Sequence, residues 1–168
     1  MSRPAAFLDR DGVLIVDSGF PHRPDQLVLI PGAAEAVKRL NDAGYVTVIV
    51  TNQSGVARGM FSEETMHDFN RMLVERLAQA GARIDAVYAA PHHAKAVDER
   101  YRHPDHPDRK PNPGMLFKAI AEHDLDPGRS LMIGDKPSDM EAAARAGVAG
   151  YRFENGDLDQ FVASILSA

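Results

Sequence analysis

The chain has no cysteine anywhere in its 168 residues. That excludes disulfide bonds, thiolate catalysis and cysteine-ligated zinc together, and it suits a reducing compartment. A basic excess is also missing: 19 Lys and Arg stand against 24 Asp and Glu, for a formal net charge of -5. This disfavours a nucleic-acid footprint, although a few local cations can still capture a phosphate. No apolar run approaches the roughly 20 residues needed to cross a bilayer. Met1-Ser2-Arg3-Pro4 leads directly into the first apolar segment, with no signal-peptide pattern. Internal repeats and low-complexity segments are absent as well. The expectation is one cytoplasmic domain over 1–168, a monomer with neither membrane nor nucleic acid as partner.

What is present is an alternation of strand and helix patterns. Ala5-Ala6-Phe7-Leu8 reads as a buried strand, and Val13-Leu14-Ile15-Val16, closed by Asp17-Ser18-Gly19, as a small hairpin or flap. Ala33, Val37 and Leu40 share one helical face, with Gly44 as the stop. Tyr45 to Val50 has the β-branched, non-alternating character of a strand buried on both faces. Ser62 can cap a helix whose stripe is Met66, Phe69, Leu73, Leu77 and Ala80. Ala86 to Ala89 and Leu131 to Ile133 read as further strands, and Val148 to Phe153 as a last one. Asn112 and Pro113 can open a helix, and Ser138 with Glu141 forms the pattern of a capping box on the next. Leu158, Phe161 and Ile165 mark a closing helix. The order predicts an α/β fold: a Rossmann-like parallel sheet in three layers, with helices on both faces.

Polar residues then fall where such a sheet binds ligands, at the carboxyl ends of strands. Asp9 ends the first strand, Thr51 the second, and Asp135 the strand Leu131-Met132-Ile133. Asp9 and Asp11, two positions apart on extended chain, can point the same way, one to coordinate a hard cation and attack phosphorus, the other to move a proton. Asp135 can complete an oxygen-rich site suited to Mg²⁺. Asp before Gly12 is also a frequent turn former, so the pair gains its meaning from the other strand ends. Thr51-Asn52-Gln53-Ser54-Gly55 offers hydroxyl, amide and backbone donors to a phosphate. Lys110, just before a helix start, makes an anion site, and Arg109 beside it can grip a second phosphate or a sugar hydroxyl.

These segments carry a resemblance. Phe7-Leu8-Asp9-Arg10-Asp11-Gly12-Val13 resembles the first signature of the haloacid dehalogenase-like phosphatases. Val50 to Gly55 resembles the second, Arg109-Lys110-Pro111 the third, and Ile133 to Asp139 the fourth, all in the family's order. Within that superfamily the chain is similar to the D-glycero-D-manno-heptose 1,7-bisphosphate phosphatases, a pattern largely shared by histidinol-phosphate phosphatases. The resemblance implies an HAD-like fold without a large cap domain and a Mg²⁺-dependent hydrolysis of a small phosphorylated substrate. It implies Asp9 as covalent nucleophile, Asp11 as acid and then base, and Thr51 with Lys110 at the phosphoryl oxygens. Mg²⁺ falls to Asp9, Asp135 and the backbone of Asp11, with the Lys136 backbone a further candidate. Substrate contacts are expected from Asp17, Ser18, Gly19 and Phe20, from Asn52, Gln53 and Ser54, and from Arg58, Arg109 and the Pro91–Asp108 loop. Lys136 and Asp139 are left between a place near the metal and structural charge pairing.

Many heptose phosphatases hold a structural zinc in that loop through three Cys and one His. Here His92 is kept, while Ala90, His106 and Asp108 stand at the Cys positions. His92, His106 and Asp108 remain as three candidate ligands, one short of a closed tetrahedral site unless His93 or His103 substitutes. A metal-free loop is the expectation. Other readings left open are another phosphomonoester as substrate, a non-catalytic domain that keeps the fold, and a nucleic-acid end-processing phosphatase.

Overall fold

The computed structural model describes residues 2–168. Its strands β1 (Ala5–Leu8), β2 (Val46–Asn52), β3 (Ala86–Ala90), β4 (Leu131–Gly134) and β5 (Ala149–Arg152) form one parallel sheet in the order β3-β2-β1-β4-β5. Side chains alternate across each strand, so β1 sends Leu8 to one face and Phe7 to the other. Leu8, Ile49 and Ile133 pack with Val37 and Leu40 of α1 (Ala33–Asp42), Leu73 of α2 (Glu63–Gln79) and Leu158 of α5 (Leu158–Leu166). Phe7, Val50 and Met132 pack on the opposite face with Leu116 of α3 (Gly114–His123) and Ala142 of α4 (Pro137–Arg145). Both faces are covered, which is why these strands carry no polar alternation. The expected three-layer α/β architecture is the one observed.

Strand order reverses between β1's two neighbours, β2 and β4. A crevice therefore opens beyond the carboxyl end of β1, where loops from neighbouring strands part company. Asp9 is the first residue beyond β1, its N–H donating to the Ile133 carbonyl of β4 at 3.0 Å. The sheet itself thus aims the segment that follows.

Local signals behave unevenly. Ser62 caps α2 by accepting from the Thr65 N–H at 3.0 Å, and Gly44 takes a left-handed φ of 89° after α1. The flap expected after Val13–Val16 is observed: the Val16 N–H donates to Val28 O (2.8 Å) and the Ile30 N–H to Leu14 O (2.9 Å), so it spans residues 17 to 27. Two other expectations are corrected. Asn112 does not cap α3; its side-chain amide donates to Asp105 and the His106 carbonyl, and Pro113 takes the cap position. Ser138 does not begin α4 either, because Pro137 supplies the preset first helical residue and Asp139 accepts from the Lys136 N–H at 3.0 Å. Among the described residues no helix is long and apolar enough to cross a membrane.

The sheet-and-helix core predicts an asymmetry in side-chain truncation. Leu73→Ala, at a fully buried position, should lower unfolding free energy by about 2–5 kcal/mol. Phe117→Ala, at a site 52% exposed, should stay within about 0.5 kcal/mol of the parent. Chemical denaturation of both variants checks the contrast, and equal losses would contradict the packing described.

Candidate active site

The crevice holds a buried ion cluster at the carboxyl ends of β1, β2 and β4. Lys110 reaches in from the loop before α3, only 4% exposed. Its ammonium donates to Asp9 Oδ1 at 3.0 Å, to the Val50 carbonyl at 2.8 Å and to Asp139 Oδ1 at 2.7 Å. Three donor hydrogens thus meet three acceptors. Asn52, at the end of β2, fixes the loop that delivers Lys110: its amide accepts from the Lys110 N–H and donates to the Lys110 carbonyl, both at 3.0 Å. Asp139 Oδ2 meanwhile accepts from the N–H groups of Asp135 and Lys136, at 3.1 and 3.0 Å. One carboxylate therefore shapes the turn after β4 and anchors the lysine.

Asp135 completes the group. Oxygens of Asp9, Asp135 and Asp139 lie within 4.8 Å of one another. Asp135 Oδ1 is buried with no hydrogen-bond partner. Its other oxygen lies 2.2 Å from where a Cβ on Gly12 would stand, and Gly12 has φ +88°. Only glycine lets the backbone pass this close. Three carboxylates facing one ammonium leave uncompensated negative charge and an orphaned oxygen, a donor set that fits a hard divalent cation. Asp9, Asp135 and the Asp11 main chain are the groups that could hold it.

Burial pushes the Asp9 carboxyl up to about 8, with Asp139 adding to the rise and Lys110 opposing it. Burial alone would lower Lys110, yet the carboxylates of Asp9 and Asp139 outweigh it and raise the ammonium. Lys110 therefore stays charged, while burial favours the protonated form of Asp9.

Thr51 and Gln53 lie at the same depth. The Gln53 amide donates to Thr51 Oγ1 at 2.7 Å, which occupies a lone pair of that hydroxyl and leaves its proton to be offered elsewhere. Asp11, Thr51, Lys110 and Lys136 line a small recess with Asp9 at its floor. The recess opens into a cleft of about 540 Å³ walled by Asp17, Gly19, Phe20, Ser54, Arg58 and Arg109. Phe20 adopts φ 53° and sits 5.3 Å beneath the Arg58 guanidinium. Burial and the neighbouring Arg58 charge both disfavour the Arg109 cation, lowering its pKa. Ser18 stays outside the cleft lining; the Asp17 carboxylate accepts from the Gly19 N–H at 3.1 Å, which shapes the turn between them.

The chain matches the haloacid dehalogenase-like hydrolase family over residues 19–147. A Rhodopseudomonas palustris protein named D-glycero-beta-D-manno-heptose-1,7-bisphosphate 7-phosphatase is 47% identical over 165 residues, spanning 98% of this chain and 91% of its own length. The chain belongs to the haloacid dehalogenase-like hydrolases. A Thermosynechococcus vestitus protein named D-glycero-D-manno-heptose-1,7-bisphosphate 7-phosphatase is also 47% identical, over 93% of this hydrolase and 81% of that protein. Among solved structures, a HAD-like protein from Mesorhizobium loti superposes with a TM-score of 0.87 at 44% identity, over 92% of this chain and 74% of that one. The D,D-heptose 1,7-bisphosphate phosphatase of B. bronchiseptica, solved with magnesium and phosphate, gives 0.79 at 34% identity over 96% and 86%.

In this hydrolase the loop after β3 does not form a metal cage. His92 and His106 stack face to face, ring centroids 3.7 Å apart and 5° from parallel. The Asp108 carboxylate pairs with Lys118, and His106 Nδ1 accepts from the Asp108 N–H at 3.0 Å. The His93 Nδ1 accepts from Lys95 N–H and that of His103 from Asp105 N–H, both at 3.0 Å. Burial lowers the pKa of both His92 and His106 and so favours their neutral forms. Among the described residues, His92, His106 and Asp108 do not bring their ligand atoms together as Asp9, Asp135 and Asp139 do, and that arrangement does not fit a zinc site. Sequence reasoning undervalued Asp139, whose burial is invisible in a helix first turn, and passed over Arg10, a buried cation whose partners are distant in the chain.

The raised Asp9 value has a consequence for stability. The folded chain keeps a proton that the unfolded chain loses, so across the window from about 4 to about 8 the native state binds more protons and stability declines as pH rises. In chelator-treated protein, Tm should fall from pH 5 towards pH 8, while Asp9→Asn, with no proton to lose, gives a flatter line. Parallel slopes would remove the assignment.

Proposed function

We propose that the chain is a Mg²⁺-dependent phosphatase that removes the 7-phosphate of D-glycero-D-manno-heptose 1,7-bisphosphate through an aspartyl-phosphate. In this reading an Asp9 oxygen attacks phosphorus and the ester P–O bond breaks. The leaving alkoxide takes the proton of the Asp11 carboxyl. Water then attacks the phosphorus of the acyl phosphate and passes its proton to the Asp11 carboxylate. The P–O bond to Asp9 breaks, releasing inorganic phosphate and restoring the nucleophile. Lys110 and the free Thr51 hydroxyl proton serve the phosphoryl oxygens, where charge is spread in the transition state. Mg²⁺ held by Asp9, Asp135 and the Asp11 carbonyl would neutralise charge between nucleophile and phosphoryl group.

The observation that carries the bisphosphate reading is the pair Arg58 and Arg109 in the outer cleft, where burial and the Arg58 charge disfavour the Arg109 cation. A second dianion relieves that repulsion, whereas a monoester such as histidinol phosphate leaves it in place. The names of the relatives at 47% identity support the same substrate. The reading takes the enzyme as a single cytoplasmic domain acting as a monomer on a small phosphorylated sugar.

Turnover of heptose 1,7-bisphosphate, histidinol phosphate and sugar monophosphates, with and without Mg²⁺, tests it. The bisphosphate should be the best substrate. Asp9→Asn should lower turnover by more than about a thousandfold. Arg109→Ala should raise KM about tenfold or more for the bisphosphate and much less for the monoesters. Faster turnover of histidinol phosphate would replace the substrate assignment, and full activity of Asp9→Asn would end the phosphatase reading.

A further inference from the structure

Arg10, the residue between the two carboxylates of the first segment, is buried even more deeply than Lys110. The Arg10 guanidinium is 1% exposed. Its Nε donates to Asp11 Oδ1 at 2.7 Å and its Nη2 to Asp11 Oδ2 at 3.2 Å, a two-pronged grip. Nη2 also donates to the Pro21 carbonyl at 3.0 Å, and Nη1 to Asn70 Oδ1 of α2 at 2.8 Å. The Phe69 ring, also on α2, lies 4.8 Å from the guanidinium carbon. One planar cation thus joins three separate segments: the end of β1, the middle of the flap and the middle of α2.

We propose that Arg10 is the positioning residue of Asp11 and the anchor of the flap. The inference rests on the acid–base role assigned to Asp11. A fork bonded to both carboxylate oxygens fixes the plane of the carboxylate, not merely its charge. It uses one lone pair on each oxygen and leaves the others directed to the recess that Asp11 lines with Asp9. Asn70 and Phe69 hold the fork from behind, on a rigid helix, so the setting of Asp11 does not depend on the exposed loop. Asn70 Nδ2 is buried with no partner, which is the expected cost of an amide turned to present its oxygen to Arg10. The same guanidinium holds Pro21, directly after the Phe20 that walls the cleft. Flap and proton donor therefore share a support.

The test compares Arg10→Gln, Arg10→Lys, Asp11→Asn and the Arg10→Gln/Asp11→Asn double variant. Two esters are used: heptose 1,7-bisphosphate, whose alkoxide needs a proton, and p-nitrophenyl phosphate, whose leaving group does not. Arg10→Gln should lower kcat on the heptose ester about tenfold or more and raise KM severalfold through the freed flap, while leaving the p-nitrophenolate burst within about threefold. In the Asp11→Asn background the same change should cost less than about twofold in kcat. Arg10→Lys, which keeps the charge and one donor, should recover part of the loss. If Arg10→Gln does not melt cooperatively, Arg10→Lys is judged by the same two comparisons. Equal losses in both backgrounds, an equally slowed burst, or a change in KM alone would overturn the proposal. Full turnover by Asp9→Asn or Asp11→Asn would instead sink the mechanism on which it rests.

Discussion

Lys110 places a charged ammonium among three acceptors at the centre of the sheet's carboxyl edge, and most other features of the site follow from that burial. An ammonium moved out of water is stable only when each hydrogen is met and its charge is answered. Asp9 after β1, Asp139 in the first turn of α4 and the Val50 carbonyl of β2 do this from three separate segments. The requirement then spreads outward. Asp139 must be held by the turn after β4, which its own second oxygen organises. The lysine's backbone must be held by Asn52. Asp135 is left with one buried oxygen that has no hydrogen-bond partner.

The polar residues of the signature segments consequently divide into those that face a ligand and those that hold them. Asn52 and Gln53 belong in part to the second group, since one is bonded to the Lys110 main chain and the other to the Thr51 hydroxyl. Arg10 has the same kind of task on the opposite side of Asp9. Each holder is buried or nearly so, where a hydrogen bond is strong and a missing one is costly. The precision of the site comes from rigid elements and not from the exposed flap.

The fold was legible because its cause is local: β2 is a run of β-branched residues, and the apolar stripe of α2 keeps helical spacing from Met66 to Leu77. Asp9, Thr51, Lys110 and Asp135 were legible because a parallel sheet brings its carboxyl ends together whatever the loops do. What stayed hidden depends on distances across the chain. Nothing in a sequence says that Arg10 lies against Phe69 and Asn70, or that Asp139 bends back to Lys110. The misplaced starts of α3 and α4 have a more local cause. Asn112 is drawn to Asp105 and His106 within its own loop, and at α4 the capping pattern is met two residues early, with Asp139 accepting from the Lys136 N–H.

The pair of hydrogen bonds between the Asn52 amide and the Lys110 main chain imitates one rung of a β-ladder, made by a side chain instead of a strand. It pins the far end of the excursion that follows β3 to β2 at a single point. Upstream of the pin the loop, stacked imidazoles included, can rearrange without moving the ammonium.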